Sequence, residues 1–503
     1  MIIVKTGLGS WGNKHGTFVQ SIKDLYELGN NTSLEPLAAY NDTTQGLQQI
    51  IAEAIAKKVP LRALGAGWSW AKIAIAEDGI MLDTKPLNIV FDMSPQSVAI
   101  TYKGDPKKLF LAQCGNGVWE LSEFLKKRNL SLKTSGASNG QTIAGVIATG
   151  AHGSAFDTGA VQDFVVGLHI IISPTRHIWL ERASYPVVSA EFINDFHTRL
   201  IQDDDLFNAA LVSFGSFGII HGVMVETVDI YLLESYMQRI PFDASLRTIM
   251  QTLNFSDATL PCGNERPFHF AVSINPYDMS NGAYVTTMYK RPYHSDYTLP
   301  VRNSYGVGPG DDAAVFVGNL TQTIPSLIPT LVTHLLAGAL KPYSKQTGTL
   351  GEIFDNTTLH GKLLSSAIGI PIAYVNRVTD ILFEVNASNG PFTGLFAYRF
   401  VKKSMATLAF THFDYTCVFE LDGAFSDNTY EFYTTVWERL EQEEIPFTFH
   451  WGKVNEIDST RMARMYGAGA ENWIAARNKL LDKDSLKVFT NNILMKWGLD
   501  KVL

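Results

Sequence analysis

Leu47, Ile50, Ile51, Ala54 and Ile55 recur at helical spacing along NDTTQGLQQIIAEAIAKKVP, with polar residues between them. This pattern predicts an amphipathic helix, capped at Asn41 or Asp42 and closed by Pro60. Val118, Leu121, Phe124 and Leu125 predict a second one over VWELSEFLKKRNL. Around them the period shortens. LRAL, GIMLDTK and NIVFDM read as short strands separated by glycine-rich loops. Near residue 231 the texture changes. HFAVSIN, AYVTTMYK, AIGIPIAYV, DILFEV, GLFAYRFVK, ATLAFTHFDYTCVFEL and PFTFHWGK are strand-like and rich in aromatic residues. They predict a broad antiparallel sheet. Segments near 321–341 and at 428–444 read as helix, as does the chain from about 455 onward. The expected fold class is α+β.

Length and charge narrow the picture. A chain of 503 residues is too long for one simple core. The net charge of −8, with no basic run to offset it, argues against a nucleic-acid partner. Cys114, Cys262 and Cys417 lie far apart and form no CxxC pair or disulfide ladder. MIIVKTGLGS is too short to be a signal peptide, and SLIPTLVTHLLAGAL, interrupted by Pro329, is too short to span a bilayer. A cytoplasmic protein without a transmembrane segment is expected. No histidines pair at metal-ligand spacing, so no metal is expected.

Three glycine-rich stretches carry the chemistry: GAGWSW from Gly65, SGASNGQTIAGVIATGAHGSAF from Ser135, and SFGSFGIIHGVMVETV from Ser213. Backbone N–H groups in such loops can cradle a pyrophosphate without any basic side chain. Ordinary tight turns are the competing reading. GLGSWG near the start also matches GxGxxG. Only six residues precede it, and polar NKHG stands where a helix should begin, so a nicotinamide-binding fingerprint is disfavoured.

PLRALGAGWSW, the long second stretch, FGSFGII and the C-terminal FHWGKVNEID together resemble FAD-linked oxidoreductases of the vanillyl-alcohol oxidase type. Within that type the chain is similar to aldonolactone oxidases, alditol oxidases and flavin-type cholesterol oxidases. SWGNKHG resembles the start of the same proteins. The resemblance implies a two-part FAD-binding domain, residues 1–230 and 446–503, around an inserted α+β substrate domain, residues 231–445, built on an antiparallel sheet. It places cofactor contacts in the first loop at Gly65, Ala66, Gly67, Trp68, Ser69 and Trp70. In the second loop it places them at Gly136, Ala137, Ser138, Gln141, Thr142, Gly145, Ala148, Thr149, His152 and Gly153. Gly218 and Ile219 complete the set. Many members carry histidine in the first loop, bonded covalently to the flavin. Trp68 stands there here, and indole cannot form that bond. The second loop has no cysteine, and Cys114 reads as a buried strand residue. Non-covalent FAD is therefore expected.

Several members place Glu-x-Arg on a strand facing the flavin, where residues i and i+2 share one face. Arg399 in LFAYRFVKKS matches the arginine, but Ala397 stands at the glutamate position. Asp414 or Glu420 on the next strand is a candidate partner, and an anionic substrate is an alternative; a structural surface arginine is the plain reading. Lys453 of HWGK approaches flavin or substrate in the family, with His450 beside it; a polar strand end is the plain reading there. His412, Tyr398 and Asp414 are weak candidates for a general base, and His152 reads as a brace for the second loop. The expected activity is FAD-dependent oxidation of a CH–OH group on a sugar alcohol, hydroxylactone or sterol-like alcohol. Dioxygen or another acceptor would complete the cycle. A flavin-binding protein with decayed chemistry and, less favoured, a nicotinamide-dependent dehydrogenase are the alternatives.

Overall fold

The structure, a computed structural model, describes residues 1–256, 258–300, 324–355 and 362–503. Pro36 opens the long helix Pro36–Lys57, ahead of the expected cap at Asn41 or Asp42. Proline's fixed φ and missing N–H suit the first helical position, and the buried face already begins at Ala39 and Tyr40. The helix ends not at Pro60 but at Lys58, which turns into the left-handed region at φ 53°.

That helix sits between two sheets. One has four strands in the order Ile2–Lys5, Asp24–Gly29, Ile80–Asp83, Leu61–Leu64. The other has six, in the order Arg199–Gln202, Arg176–Glu181, Val165–Ser173, Ile219–Glu226, Leu109–Gln113, Val90–Asp92. Leu47, Ile50, Ile51 and Ala54 share one core with Leu61 and Ile80 of the first sheet and Ala112 and Leu168 of the second. GLGSWG runs into a two-stranded hairpin, Ser10–Gly12 with Val19–Ser21. No helix follows it, so the dinucleotide fingerprint lacks its structural context.

The third sheet is antiparallel throughout and has eight strands. Its order is Tyr343–Gly348, Tyr231–Ile240, Ala283–Pro292, His269–Ile274, Gly394–Lys402, Tyr415–Ala424, Leu363–Pro371, Thr448–Phe449. Four strand expectations need correction. DILFEV lies inside the helix Val375–Ser388, whose buried Val375, Val378, Ile381, Leu382 and Val385 keep helical spacing. A six-residue window is too short to reveal that period. AIGIPIAYV stops being strand at Pro371, where a helical turn begins. In ATLAFTHFDYTCVFEL the strand starts only at Tyr415, and in PFTFHWGK it is only Thr448–Phe449. The helix expected near 321–341 is Ile328–Ala339, and residues 321–323 lie outside the described residues. The helix Asp427–Gln442 was expected at 428–444.

The C-terminal helices, from Ser459 to Lys496, pack back on the first part of the chain. Trp473 Nε1 donates to Val212 O at 3.0 Å, and Asn491 Nδ2 donates to Ile73 O and Ile75 O. Buried Arg62 donates to the carbonyls of Ile73, Phe214, Gly215 and Phe489. Among the described residues no helix is long and apolar enough to cross a membrane.

Candidate functional site

A cavity of about 580 Å³ opens where the glycine loops meet one face of the eight-stranded sheet. The first loop follows the strand Leu61–Leu64 directly. Gly65 is packed so tightly that a Cβ would stand 2.2 Å from Thr142 Oγ1 of the second loop. Only glycine allows the two loops to touch. Gly67 takes φ +72°, open to glycine without strain. Thr142 then caps the short helix Ile143–Ala148 by accepting from Gly145 N at 3.3 Å.

The first loop is also tied to the HWGK turn. Trp70 N donates to Gly452 O at 2.8 Å, and Ser69 Oγ to the same carbonyl at 3.2 Å. Trp70 Nε1 donates to Leu363 O at 2.7 Å. His15 stacks on the Trp70 ring, centroids 3.6 Å apart, and bonds the Trp68 carbonyl through Nε2 at 3.1 Å. Lys453 Nζ lies 4.6 Å from the Trp70 ring centroid.

The opposite wall is a face of three adjacent strands. Antiparallel register sets Ala397, Glu420 and Ala367 in one row, and Leu395, Asp422 and Ser365 in the next. Small alanines flank Glu420 in its row, and Glu420 itself borders the cavity. Arg399 Nη2 reaches Glu420 Oε2 at 3.0 Å, and His152 Nε2 is 3.8 Å from Oε1. Lys453 Nζ donates to Ser365 Oγ at 2.7 Å, and Ser365 in turn bonds Asp422. Burial raises the Glu420 carboxyl, but the cations Arg399 and Lys453 outweigh it and hold the group below its ordinary value. Burial, reinforced by Arg399, lowers His152 to about 4 despite Glu420. Burial and the neighbouring cations push His450 well below the ordinary imidazole value. His15 falls to about 4, again chiefly by burial. All three imidazoles are neutral at pH 7.

Residues 37–180 match the family described as the FAD binding domain. L-gulono-1,4-lactone dehydrogenase of Mycobacterium tuberculosis is 27% identical over 59% of this chain and 59% of its own length. D-arabinono-1,4-lactone oxidase of Debaryomyces hansenii is 31% identical over 27% of this chain and 21% of its own. The chain thus spans well under two thirds of these curated relatives. The L-gulonolactone oxidase 3 of Arabidopsis thaliana is 23% identical over 82% of this chain and 72% of its own. A cholesterol oxidase structure from B. sterolicum superposes with a TM-score of 0.72 at 15% identity, covering 99% of this chain and 97% of that one, a likeness of fold. Residues 37–180 thus form an FAD-binding domain, and the chain as a whole is similar in sequence to aldonolactone oxidoreductases and in fold to a flavin-dependent cholesterol oxidase.

The cavity fits this family's cofactor on the structure's own terms. Two glycine-rich loops line it, and neither loop residues 65–70 nor 136–149 hold an acidic side chain that would repel a pyrophosphate. Trp68 Nε1 and Gln141 Oε1 are buried there without a hydrogen-bond partner. Such atoms are costly unless a ligand meets them.

Of the residues expected to contact FAD in this flavoprotein, all line the cavity except Gly153 and Ile219. Gly153 packs on the backbone, where a Cβ would meet Ser135 O at 2.3 Å, and Ile219 is buried within its strand. Arg399, His450 and Lys453 line it too. The base candidates do not. Tyr398 points to the other face of the sheet, Asp414 is exposed, and His412 packs against Tyr466. His152 does more than brace its loop, since its ring faces Glu420. Cys114 borders the cavity, but burial pushes its thiol up to about 12 and keeps it protonated. Trp11, His15, Ser365 and Asp422 were missed as site residues. Only SWGNKHG gave any signal for the first two. Among the described residues no group of His, Cys, Asp or Glu is placed to hold a metal ion.

Proposed function

We propose that this protein oxidises a CH–OH group of a hydroxylactone or related polyol, using FAD held without a covalent bond. Residues 1–230 and 446–503 form the flavin domain in this reading, and residues 231–445 carry the substrate. One observation carries it. The Arg399–Glu420 pair and the Lys453–Ser365–Asp422 group stand on the wall of the same cavity that the glycine loops border. The names of the relatives, lactone dehydrogenases and oxidases, support a lactone. So does the polar wall, because Ser365, Asp422 and Lys453 offer hydrogen-bonding groups that a polyhydroxylated substrate can share.

When bound, FAD supplies a two-electron acceptor for the substrate's hydride. Arg399 polarises and positions the substrate oxygen. Lys453 places a fixed positive charge beside the cavity, favouring the negative charge that builds during reduction. Trp68, Trp70 and the glycine backbone hold the cofactor by area and hydrogen bonds.

Anaerobic mixing of the yellow protein with aldonolactones, alditols and sterols tests the proposal. Bleaching by a lactone or polyol is expected. A flavin that stays oxidised with the whole panel would favour the decayed-chemistry reading instead. Admitting air afterwards distinguishes dioxygen from another acceptor.

A further inference from the structure

Oxidation of an alcohol needs somewhere for the hydroxyl proton to go. From the geometry we infer that Glu420 and His152 act together as that proton acceptor, an assignment that rests on the function proposed above. His152 Nδ1 lies 2.9 Å from Gly153 O. A carbonyl can only accept, so Nδ1 carries the ring's hydrogen and Nε2 presents a lone pair. That lone pair faces Glu420 Oε1 at 3.8 Å. Two acceptors confront each other at a distance too long for a hydrogen bond, in a place almost closed to water. One added proton converts this gap into a charge-assisted hydrogen bond.

The surroundings fit the task. Arg399 engages the other carboxylate oxygen, Oε2, and leaves Oε1 for the incoming proton. Glu420 lines the cavity, with the small Ala397 and Ala367 beside it in its row. The charged and titratable groups facing the pair are Arg399, Lys453 and His450. Burial, helped by both cations, keeps His152 neutral, and the cations keep Glu420 ionised against its own burial before reaction.

The step balances. The substrate C–H bond breaks and its electron pair leaves as hydride to the bound flavin. The O–H bond breaks, its pair becomes the C=O π bond, and the proton passes to Glu420 Oε1, where His152 Nε2 shares it. The substrate would lose two electrons, to be taken up by FAD held at the glycine loops that line the cavity.

Two measurements test the assignment. The first needs no substrate. Histidine is labelled with 15N in the full-length holoprotein, and the His152 signal is identified by its loss in His152→Gln. The Nδ1–H tautomer is expected at neutral pH, with a second proton arriving near pH 4. In Glu420→Gln that step should move to lower pH, because the amide no longer favours the imidazolium. An Nε2–H tautomer, or an unchanged titration in Glu420→Gln, overturns the assignment. The second measurement is the pH profile of anaerobic flavin reduction. Glu420→Gln and His152→Gln should each slow reduction, Glu420→Gln by about 10²- to 10⁴-fold, and remove the loss of rate at low pH. Formate should partly restore Glu420→Gly. A wild-type flavin that no substrate reduces defeats the functional reading, and the 15N titration still decides the pair. Reduction at the wild-type rate and pH profile in Glu420→Gln defeats the pair and leaves the function standing.

Discussion

Ala397 and Glu420 face each other across two antiparallel strands, paired in register. A Glu-x-Arg pattern would set carboxylate and guanidinium on one strand face, since residues i and i+2 share a face. Here Ala397 stands two residues before Arg399, and the carboxylate comes from Glu420, its cross-strand neighbour. Directly opposite residues project to the same face, so Arg399 finds a carboxylate in nearly the same place.

This exchange predicts a compensating pair of substitutions. Glu420→Ala strips Arg399 of its partner and should cost about 3 kcal/mol, the low end for breaking a buried pair, since Arg399 keeps some exposure. Ala397→Glu alone sets two carboxylates beside one arginine and should also destabilise. The double variant should recover most of the melting temperature. Additive losses in the two-by-two thermal cycle would show that the two positions do not share a role.

Lys453→Met keeps the bulk of the side chain and removes the charge. Anaerobic flavin reduction should slow by about 10²- to 10³-fold, as for loss of one preorganised electrostatic donor. Oxidised flavin should still bind, because the first loop stays tied to Gly452 through backbone. A rate within threefold of wild type would remove Lys453 from the chemistry.

Acid precipitation should release all the FAD into the supernatant. Trp68→Phe removes the indole N–H that has no protein partner, and FAD should then bind about tenfold more weakly, the worth of roughly one hydrogen bond. Fluorescence of released flavin during dialysis measures this. Flavin retained in the acid pellet would contradict non-covalent binding.

Gly65→Ala is expected to abolish flavin loading rather than slow turnover. The added methyl would overlap Thr142 Oγ1 and push the two loops apart. The ratio of flavin to protein absorbance in the purified variant reports the result directly.

Buried neutral imidazoles give the fold a pH limit. Burial lowers His152 and His15 to about 4, and His221 and His269 to about 3. The unfolded chain binds protons from about pH 6.5 downward, so these groups support the fold fully above that pH and progressively less toward pH 4. At pH 5 each withdraws about 2 kcal/mol relative to pH 7. Melting temperature should fall over this window. His221→Gln should flatten the fall, even if it lowers the plateau.

The glycine loops were legible because their chemistry is local. A backbone that must approach a ligand announces itself in consecutive residues such as Gly65-Ala66-Gly67. The long helix and the aromatic strands were legible for the same reason. What escaped depends on register or on packing. Glu420 was one of two candidates until the strand pairing set it opposite Ala397. Ser365 and Asp422 carry no motif and meet only because two strands far apart in sequence pair. DILFEV looked like strand because its helical period extends beyond the window, to Val375 and Val378. His15 entered the cavity through a stacking contact with Trp70 that no spacing encodes.

Arg62 sets an order of events in the cell. Its guanidinium gathers carbonyls from Ile73, Phe214, Gly215 and Phe489, and the last of these lies 427 residues further along the chain. On a translating ribosome Arg62 therefore emerges long before its final acceptor exists. The amino-terminal layers can collapse early, yet a buried cation stays short of one partner until the carboxy-terminal helices arrive. A chain cut just before residue 489 would keep every residue that lines the cavity, yet leave Arg62 one acceptor short behind the first glycine loop.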